Sequence, residues 1–130
     1  MIVVDSSALT AILLAETEAR QFTVFLKGIA EPRMSVANLL EVFMVLEGRT
    51  KQDLRSRVAL ALDSLGIILE PVTEQQMWLA YEAFRSFGKG NHPARLNYGD
   101  CFAYALAKAL GLPLLFKGDD FPQTDIVPAL

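Results

Sequence analysis

The sequence predicts an α/β sandwich in which helices flank a central, mostly parallel sheet, and two observations carry this prediction. Short apolar runs at residues 1–4, 67–69 and 113–116 have the length and composition of buried strands. They alternate with longer segments in which apolar residues recur at helical spacing, an order typical of parallel sheets. The chain has 130 residues, 52% hydrophobic and 21% charged, which suits one folded domain and is too short for two ordinary ones. We therefore expect a single domain over residues 1–130.

Three helices are predicted in the first half of the chain, at about 7–15, 18–26 and 36–47. The first follows Asp5 and Ser6, either of which can cap it. The third follows a short extended piece that ends at Ser35, its expected cap, and it stops at Gly48. Apolar residues wrap the third helix on nearly all sides, so it is predicted to be buried, with Glu41 in its middle.

Three more helices are predicted in the second half, at about 51–64, 74–87 and 98–110. Thr73 and Gln76 match a capping box at the start of the second of these. Its buried positions are expected to be the following apolar residues: Met77, Leu79, Ala80, Tyr81 and Phe84. Residues 124–127 are compatible with a last edge strand.

Composition narrows the classes of function. The formal net charge is -3, so the domain as a whole lacks the basic footprint that is usual for nucleic-acid binding. A single cysteine, Cys101, excludes an internal disulfide and a cysteine-based zinc site, which fits a reducing cytoplasm. Charged residues interrupt every apolar stretch before it reaches the roughly 18 residues of a membrane span. We expect a soluble, cytoplasmic protein without a membrane contact.

Four acidic positions lie in apolar surroundings where a lone carboxylate is costly. Each has a simple explanation by itself: Asp5 can cap a helix, Glu41 can form an ion pair or face solvent, and Asp100 is favoured by a helix dipole. Asp5 and the pair Asp119-Asp120 follow strands directly, and ligands of parallel sheets bind outside those strand ends. Clustered carboxylates repel unless a cation neutralises them, and oxygen ligands select Mg²⁺ or Mn²⁺. The shared explanation is therefore a metal site for phosphodiester hydrolysis.

A basic, glycine-containing loop precedes Asp100. No acid occurs between Glu82 and Asp100, so the loop can neutralise RNA phosphates, unless it is a solvated loop with incidental charge. The candidate RNA-binding residues in and beside it are Arg85, Lys89, His92 and Arg95.

Rival chemistries lack their residues. Acid–base cleavage by a histidine pair needs two histidines, and His92 is the single one. Neither a phosphate-binding G-x-x-x-x-G-K-S/T sequence nor G-x-G-x-x-G follows a strand. Cys101 has no evident histidine base, and a small helical hydrophobe is the simpler role for it.

Four motifs, in the order in which they occur along the chain, resemble those of the PIN-domain ribonucleases and, more narrowly, of the VapC toxins of bacterial type II toxin–antitoxin pairs. They are Met1-Ile2-Val3-Val4-Asp5-Ser6-Ser7-Ala8-Leu9, the glutamate Glu41, Leu96-Asn97-Tyr98-Gly99-Asp100-Cys101, and Leu114-Leu115-Phe116-Lys117-Gly118-Asp119-Asp120-Phe121 with Thr124-Asp125-Ile126. The resemblance implies a PIN-like three-layer sandwich and a Mg²⁺-dependent endoribonuclease, with Mn²⁺ as a possible substitute. It also implies a homodimer, a VapB-type antitoxin as inhibitor, and RNA as substrate, for which tRNA or another structured RNA fits the family.

The resemblance assigns roles residue by residue. Asp5, Glu41 and Asp100 match the three core acids, which would be catalytic and bind the metal. The fourth acid falls in the pair before Phe121: Asp120 is favoured, and Asp119 is the alternative. The supporting residues are Ser6 or Ser7, whose hydroxyl would orient a ligand or a water, and Asn97, the expected helix cap that would leave Asp100 free to face the metal.

Two other functions fit the same acids. A non-catalytic module would use the acidic groove only to bind a basic peptide, and it would neither cleave RNA nor be stabilised by metal. A PIN nuclease with another task, such as RNA processing or flap cleavage, would keep the chemistry and lack the antitoxin.

Overall fold

A computed structural model describes residues 1–49 and 53–130, and its centre is a fully parallel sheet. The strands are β1 (Val3–Val4), β2 (Arg33–Ser35), β3 (Ile68–Glu70) and β4 (Leu114–Leu115). Their order across the sheet is β3-β2-β1-β4, with Val3 in register with Arg33 on one side and Leu114 on the other. All carboxyl ends therefore lie on one edge of the sheet. The predicted α/β class with a parallel sheet is confirmed.

Six helices accompany the sheet in the described ranges. They are α1 (Ser6–Leu13), α2 (Ala19–Lys27), α3 (Val36–Glu47), α4 (Leu54–Leu65), α5 (Glu74–Phe87) and α6 (Tyr98–Leu110). The helix predicted from residue 51 has its first residues outside the described ranges. Its described part begins after Asp53, which accepts a hydrogen bond from the backbone N–H of Ser56. Before α5, Thr73 accepts from the N–H of Gln76, the forward half of the predicted capping box.

The helices form two layers, one on each face of the sheet. Val4 and Leu115 contribute to a core with α1, α2, α3 and α4. Val3 and Leu114, their chain neighbours, contribute to a second core with α5 and α6. Successive residues of a strand point to opposite faces of the sheet, so β1 and β4 each contribute one side chain to either core. This is the predicted three-layer sandwich.

The prediction that α3 is buried all round is wrong. Val42 and Leu46 are fully buried, but Leu40 and Met44 are 60% and 69% exposed, and Glu41 is only half-buried. The helix packs on one side only, so its second apolar side is a surface. Sequence periodicity cannot separate such a surface from a core, because both require apolar residues at helical spacing.

The predicted core face of α5 is also corrected. Ala83 and Gln76 are its buried residues, whereas Met77, Tyr81 and Phe84 are exposed. The other two predicted core residues, Leu79 and Ala80, are half-buried. Helix α5 therefore packs on the α6 side of the core through Ala80, Ala83 and Phe87 and leaves Met77, Tyr81 and Phe84 on the surface.

Two predicted strands differ in the structure. The strand predicted as buried at 67–69 is β3, an edge strand whose Ile68 and Leu69 are more than one-third exposed. Residues 124–127 form no strand. The terminal segment pairs with the sheet through an isolated bridge between Leu114 and Pro128, in which Leu114 forms backbone hydrogen bonds with Val127 and Ala129. None of the helices in the two described ranges is both long and apolar enough to span a membrane.

Candidate active site

The first acid, Asp5, follows β1 directly and caps α1. Its Oδ2 accepts hydrogen bonds from the backbone N–H and the hydroxyl of Ser7, at 3.0 and 2.6 Å. The same hydroxyl accepts from the N–H of Lys117 at 2.9 Å, which ties the ends of β1 and β4 together. Asp5 is 2% exposed, yet its Oδ1 is buried without a hydrogen-bond partner in the described structure. The capping interpretation is therefore correct for one oxygen and leaves the other to be explained.

The second acid, Glu41, lies on α3 against the first turn of α6. Ser6 donates a hydrogen bond of 2.5 Å from its hydroxyl to Glu41 Oε1. The Nδ2 of Asn38, a fully buried side chain, donates to the carbonyl of Gly99 at 2.9 Å and lies 3.5 Å from Glu41 Oε1. A Cβ atom at Gly99 would stand 2.3 to 2.6 Å from the Glu41 carboxyl group. Only glycine at position 99 lets the carboxylate lie where it does.

The third acid, Asp100, lies in the first turn of α6. Asn97 is the helix cap, as predicted: its side chain accepts from the N–H of Asp100 at 2.8 Å. However, Asp100 is not free, because its Oδ2 accepts from the N–H of Asn97 at 3.0 Å and completes a capping box. One carboxyl oxygen is thereby fixed by the cap, and the carboxyl group also contacts the side chain of Asp120.

These acids line one cleft of about 400 Å³ at the carboxyl edge of the sheet. Asp120 lines it, whereas its neighbour Asp119 is not among the lining residues. The lining consists of Asp5, Ser6, Ser7, Thr10, Glu16, Glu41, Val45, Asn97, Asp100, Lys117, Gly118 and Asp120. Five carboxylates and one ammonium group thus share the cleft.

Burial and mutual repulsion raise the pKa of two of these acids. For Asp5, burial is the main cause, opposed by the hydrogen bonds of Ser7 and reinforced by Glu41, and the pKa rises to about 6. For Asp100, burial again dominates over the opposing Asn97 N–H, and Asp5 and Asp120 add to it, so the pKa rises to about 8. A carboxylate cluster with raised pKa values lacks neutralising charge.

The donor chemistry of the cleft fits a hard divalent cation. All candidate ligands are carboxylate or hydroxyl oxygens, and the unpartnered Oδ1 of Asp5 is a buried acceptor of the kind that a cation satisfies. In the described part of the chain, no three acidic, histidine or cysteine side chains stand close enough together to hold a metal ion as they are placed. A cation held by three of these acids would require their side chains to rotate.

The candidate RNA-binding residues do not line this cleft. Lys89 lines a neighbouring apolar cleft, and Arg85 is exposed beside Glu82 at 3.8 Å. His92 is half-buried: its Nδ1 accepts from the N–H of Ala94 and its ring packs edge-on to Phe87. Arg95 occupies a left-handed backbone position, φ 59°. A contact between this loop and RNA stays a prediction.

Sequence reasoning missed several lining or supporting residues. Glu16 and Lys117 line the cleft, and Asn38 joins the two helices that carry Glu41 and Asp100. Asn38 precedes Glu41 by one helical turn, and Lys117 lies between β4 and Asp120, so their positions relative to the acids were signals available in the sequence.

Comparison with known proteins agrees with the geometry. The PIN domain family matches residues 2–127. Ribonuclease VapC42 of Mycobacterium tuberculosis (strain ATCC 25618 / H37Rv) is 42% identical over 128 residues, which are 98% of each chain. Ribonuclease VapC30 of the same strain is 44% identical over 124 residues, 95% of each chain. Ribonuclease VapC of Mycolicibacterium smegmatis is 43% identical over 124 residues, 95% of this chain and 96% of the relative.

Solved structures share the fold at lower identity. VapC20 of Mycobacterium tuberculosis, a toxin that cleaves the sarcin–ricin loop, superposes with a TM-score of 0.76 at 21% identity, over 98% of this chain and 97% of the other. A toxin–antitoxin complex from Klebsiella pneumoniae gives 0.71 at 17% identity, over 96% and 93%. Near-full-length identity of 40 to 44% is decisive for the family. The chain belongs to the PIN-domain family, in the group whose members are named VapC ribonucleases.

Proposed function

We propose that this protein is a Mg²⁺-dependent endoribonuclease that acts in the cytoplasm as the toxin of a VapBC toxin–antitoxin pair. The observation that carries the proposal is the convergence of four acids on one cleft. Asp5 directly follows β1 and Asp120 lies in the loop after β4, while Glu41 and Asp100 come from α3 and α6. Relatives that share the full length of the chain are named ribonucleases, which supports the same activity here.

The residues of the cleft would hold the cation and position the substrate. The candidate ligands are Asp5, Glu41, Asp100 and Asp120, with Ser6 and Ser7 fixing two of the carboxylates. A divalent ion bound there supplies a water of lowered pKa and neutralises charge on a phosphodiester. Buried carboxylates with raised pKa values lose their repulsion when such an ion binds, so binding and folding are coupled.

The experiment that tests the activity is cleavage of RNA with and without divalent metal. Purified protein is expected to cut RNA in Mg²⁺ or Mn²⁺ and to stop when EDTA removes the ion. The melting temperature should rise on adding Mg²⁺, since the ion binds only the folded cleft. Cleavage that persists in EDTA would refute the metal-dependent chemistry. Absence of both cleavage and thermal shift would favour the non-catalytic binding module.

The acidic cleft also suits a basic segment of an antitoxin. Five carboxylates line it against one ammonium group, and an arginine entering from a partner would meet complementary charge. One neighbour of the fold is a toxin–antitoxin complex, which supports a protein partner of this type for the present chain.

A second copy of the chain is proposed to cover the apolar face formed by α5 and the start of α6. A groove of about 560 Å³ there is lined mostly by apolar and aromatic side chains: Met77, Ala80, Tyr81, Phe84, Leu96, Tyr98, Cys101 and Phe102, with Lys89 and Asn97 at its edge. Tyr98 is 83% exposed and Trp78 is 55% exposed. In a twofold interface the same face of each copy must contribute both protruding side chains and a groove that accepts them. This face has the exposed rings of Tyr98 and Trp78 and the groove beside them.

Phe84→Glu is expected to convert a dimer into a monomer, because it places a charge in the middle of the apolar groove. Light scattering after size-exclusion chromatography measures the change in mass. Leu60→Glu is the matched control: Leu60 is 70% exposed and lies on α4, in the opposite helix layer. A wild-type chain that is monomeric at micromolar concentration would contradict the proposed dimer.

A further inference from the structure

Lys117 is the basic residue on the lining of the acidic cleft. It follows β4 by two positions, and its backbone N–H donates to the hydroxyl of Ser7, which also holds Asp5. The backbone of Lys117 is thus fixed to the first acid of the cleft. Within residues 1–49 and 53–130, no other lysine, arginine or histidine is among the lining residues.

Two carboxylates outside the catalytic set hold the ammonium group. Lys117 Nζ donates to Glu16 Oε1 at 3.0 Å and lies 3.3 Å from Glu18 Oε2. Glu16 itself lines the cleft, so the ammonium group stands at its rim. A lysine ammonium carries three donors, and these two acids account for two of them. The third remains for a ligand in the cleft.

These two ion pairs contribute little to stability. All three side chains are about one-third exposed, and ion pairs of this exposure are weak because solvent and salt screen them. The main effect of these ion pairs is to restrain the flexible side chain of Lys117 in one position next to the acids. A restrained cation loses less conformational entropy when it meets an anion.

RNA entering this cleft brings one negative charge per nucleotide to a wall of carboxylates. Metal ions neutralise charge at the reacting phosphate, but neighbouring phosphates need protein cations. The basic loop before Asp100 does not line the cleft, so it does not supply them at this place. Lys117 lies at the rim of the cleft, and among the described residues its ammonium group has one donor that neither Glu16 nor Glu18 uses.

We propose that Lys117 is an RNA-binding residue that contacts a backbone phosphate beside the acidic cleft, with Glu16 and Glu18 positioning its ammonium group. This assignment rests on the proposed ribonuclease function and adds a substrate contact to it. It predicts a sequence-independent contribution to affinity, because phosphate contacts carry no base information.

The test is the salt dependence of RNA binding by wild type, Lys117→Met and Lys117→Arg. The probe is a fluorescently labelled single-stranded RNA oligonucleotide in Ca²⁺, with its integrity checked on a gel after each titration. Losing one phosphate contact should reduce the slope of log Kd against log salt by about 0.7. The ratio of the Kd of Lys117→Met to the Kd of wild type should therefore become about 2.6-fold larger when the salt concentration is lowered from about 200 to about 50 mM. Lys117→Arg should restore the slope.

The control is Lys108→Met, which removes a lysine paired with Asp125 at 2.6 Å, on α6 and outside the cleft lining. It should leave the slope unchanged. A Lys117→Met protein that loses melting temperature but keeps the wild-type slope would overturn the inference, because that is the result of a purely structural ion pair. Wild type that neither cleaves nor binds RNA would overturn the proposed function and this inference with it. Wild type that cleaves, beside a variant with unchanged slope, would overturn the inference alone.

Discussion

Asp100→Asn is expected to lower the rate of RNA cleavage at least about a hundredfold, because it removes a candidate metal ligand. Mutation of a residue that only supports a metal ligand typically lowers metal affinity or activity about 10- to 100-fold. The capping box should survive, because asparagine keeps an oxygen that accepts from the N–H of Asn97. Single-turnover cleavage in Mg²⁺ measures the loss. Asp63→Asn, an exposed acid on α4, is the control and should retain wild-type activity.

The same variant is expected to be more stable than wild type in EDTA at pH 8. The pKa of Asp100 is about 8 in the folded chain against 3.8 ordinarily, so the folded state holds a proton that the unfolded state releases. The free energy of unfolding of metal-free wild type therefore falls as pH rises from about 4 to 8. Asp100→Asn cannot lose stability in this way, because its side chain does not ionise. The free energies of unfolding of the variant and of wild type, plotted against pH, should therefore converge near pH 4. A variant that is less stable than wild type at pH 8 in EDTA would contradict the raised pKa.

Gly99→Ala is expected to lower cleavage at least about tenfold while the protein stays folded. The new methyl group would stand 2.3 to 2.6 Å from the Glu41 carboxyl group, so that carboxylate must move away from Ser6. Alanine is a better helix former than glycine by about 1 kcal/mol, which offsets part of the steric cost in α6. Cleavage rate and melting temperature, measured together, separate displacement of Glu41 from unfolding.

The matched control is Gly28→Ala at the end of α2, where a methyl group meets only Phe25 O at 3.5 Å, an ordinary contact. It should leave cleavage unchanged. If Gly99→Ala were fully active while Glu41→Gln was not, Glu41 would have to work from a different position than the one described.

The positions of the acids could be predicted because of a general property of parallel sheets. Asp5 and Asp120 follow β1 and β4, and strands of one direction bring such residues to one edge. Glu41 and Asp100 are on helices, and their apolar surroundings made them candidates for the same site, to which the family resemblance then assigned them. Nothing in the sequence indicated that Asn38 bonds to Gly99, since that contact spans 61 residues.

The burial of α3 and α5 could not be predicted for a different reason. An apolar residue left on the surface and one that faces the core look alike in a sequence, as the exposed Met44 and Phe84 illustrate. The position of the basic loop relative to the cleft could not be predicted either. Lys89 and Arg95 are near Asp100 along the chain, yet the cleft has neither on its lining.

The shortness of the strands has a consequence for the tolerance of the chain to insertions and deletions. Val3 and Val4 each enter a different core, and Asp5 follows them by one residue. Removing one residue of β1 would move the remaining valine out of register with one of the two cores and draw Asp5 back by about 3.3 Å. The two cores thus fix the position of Asp5 relative to the sheet, and a length change within β1 would affect both folding and the cleft.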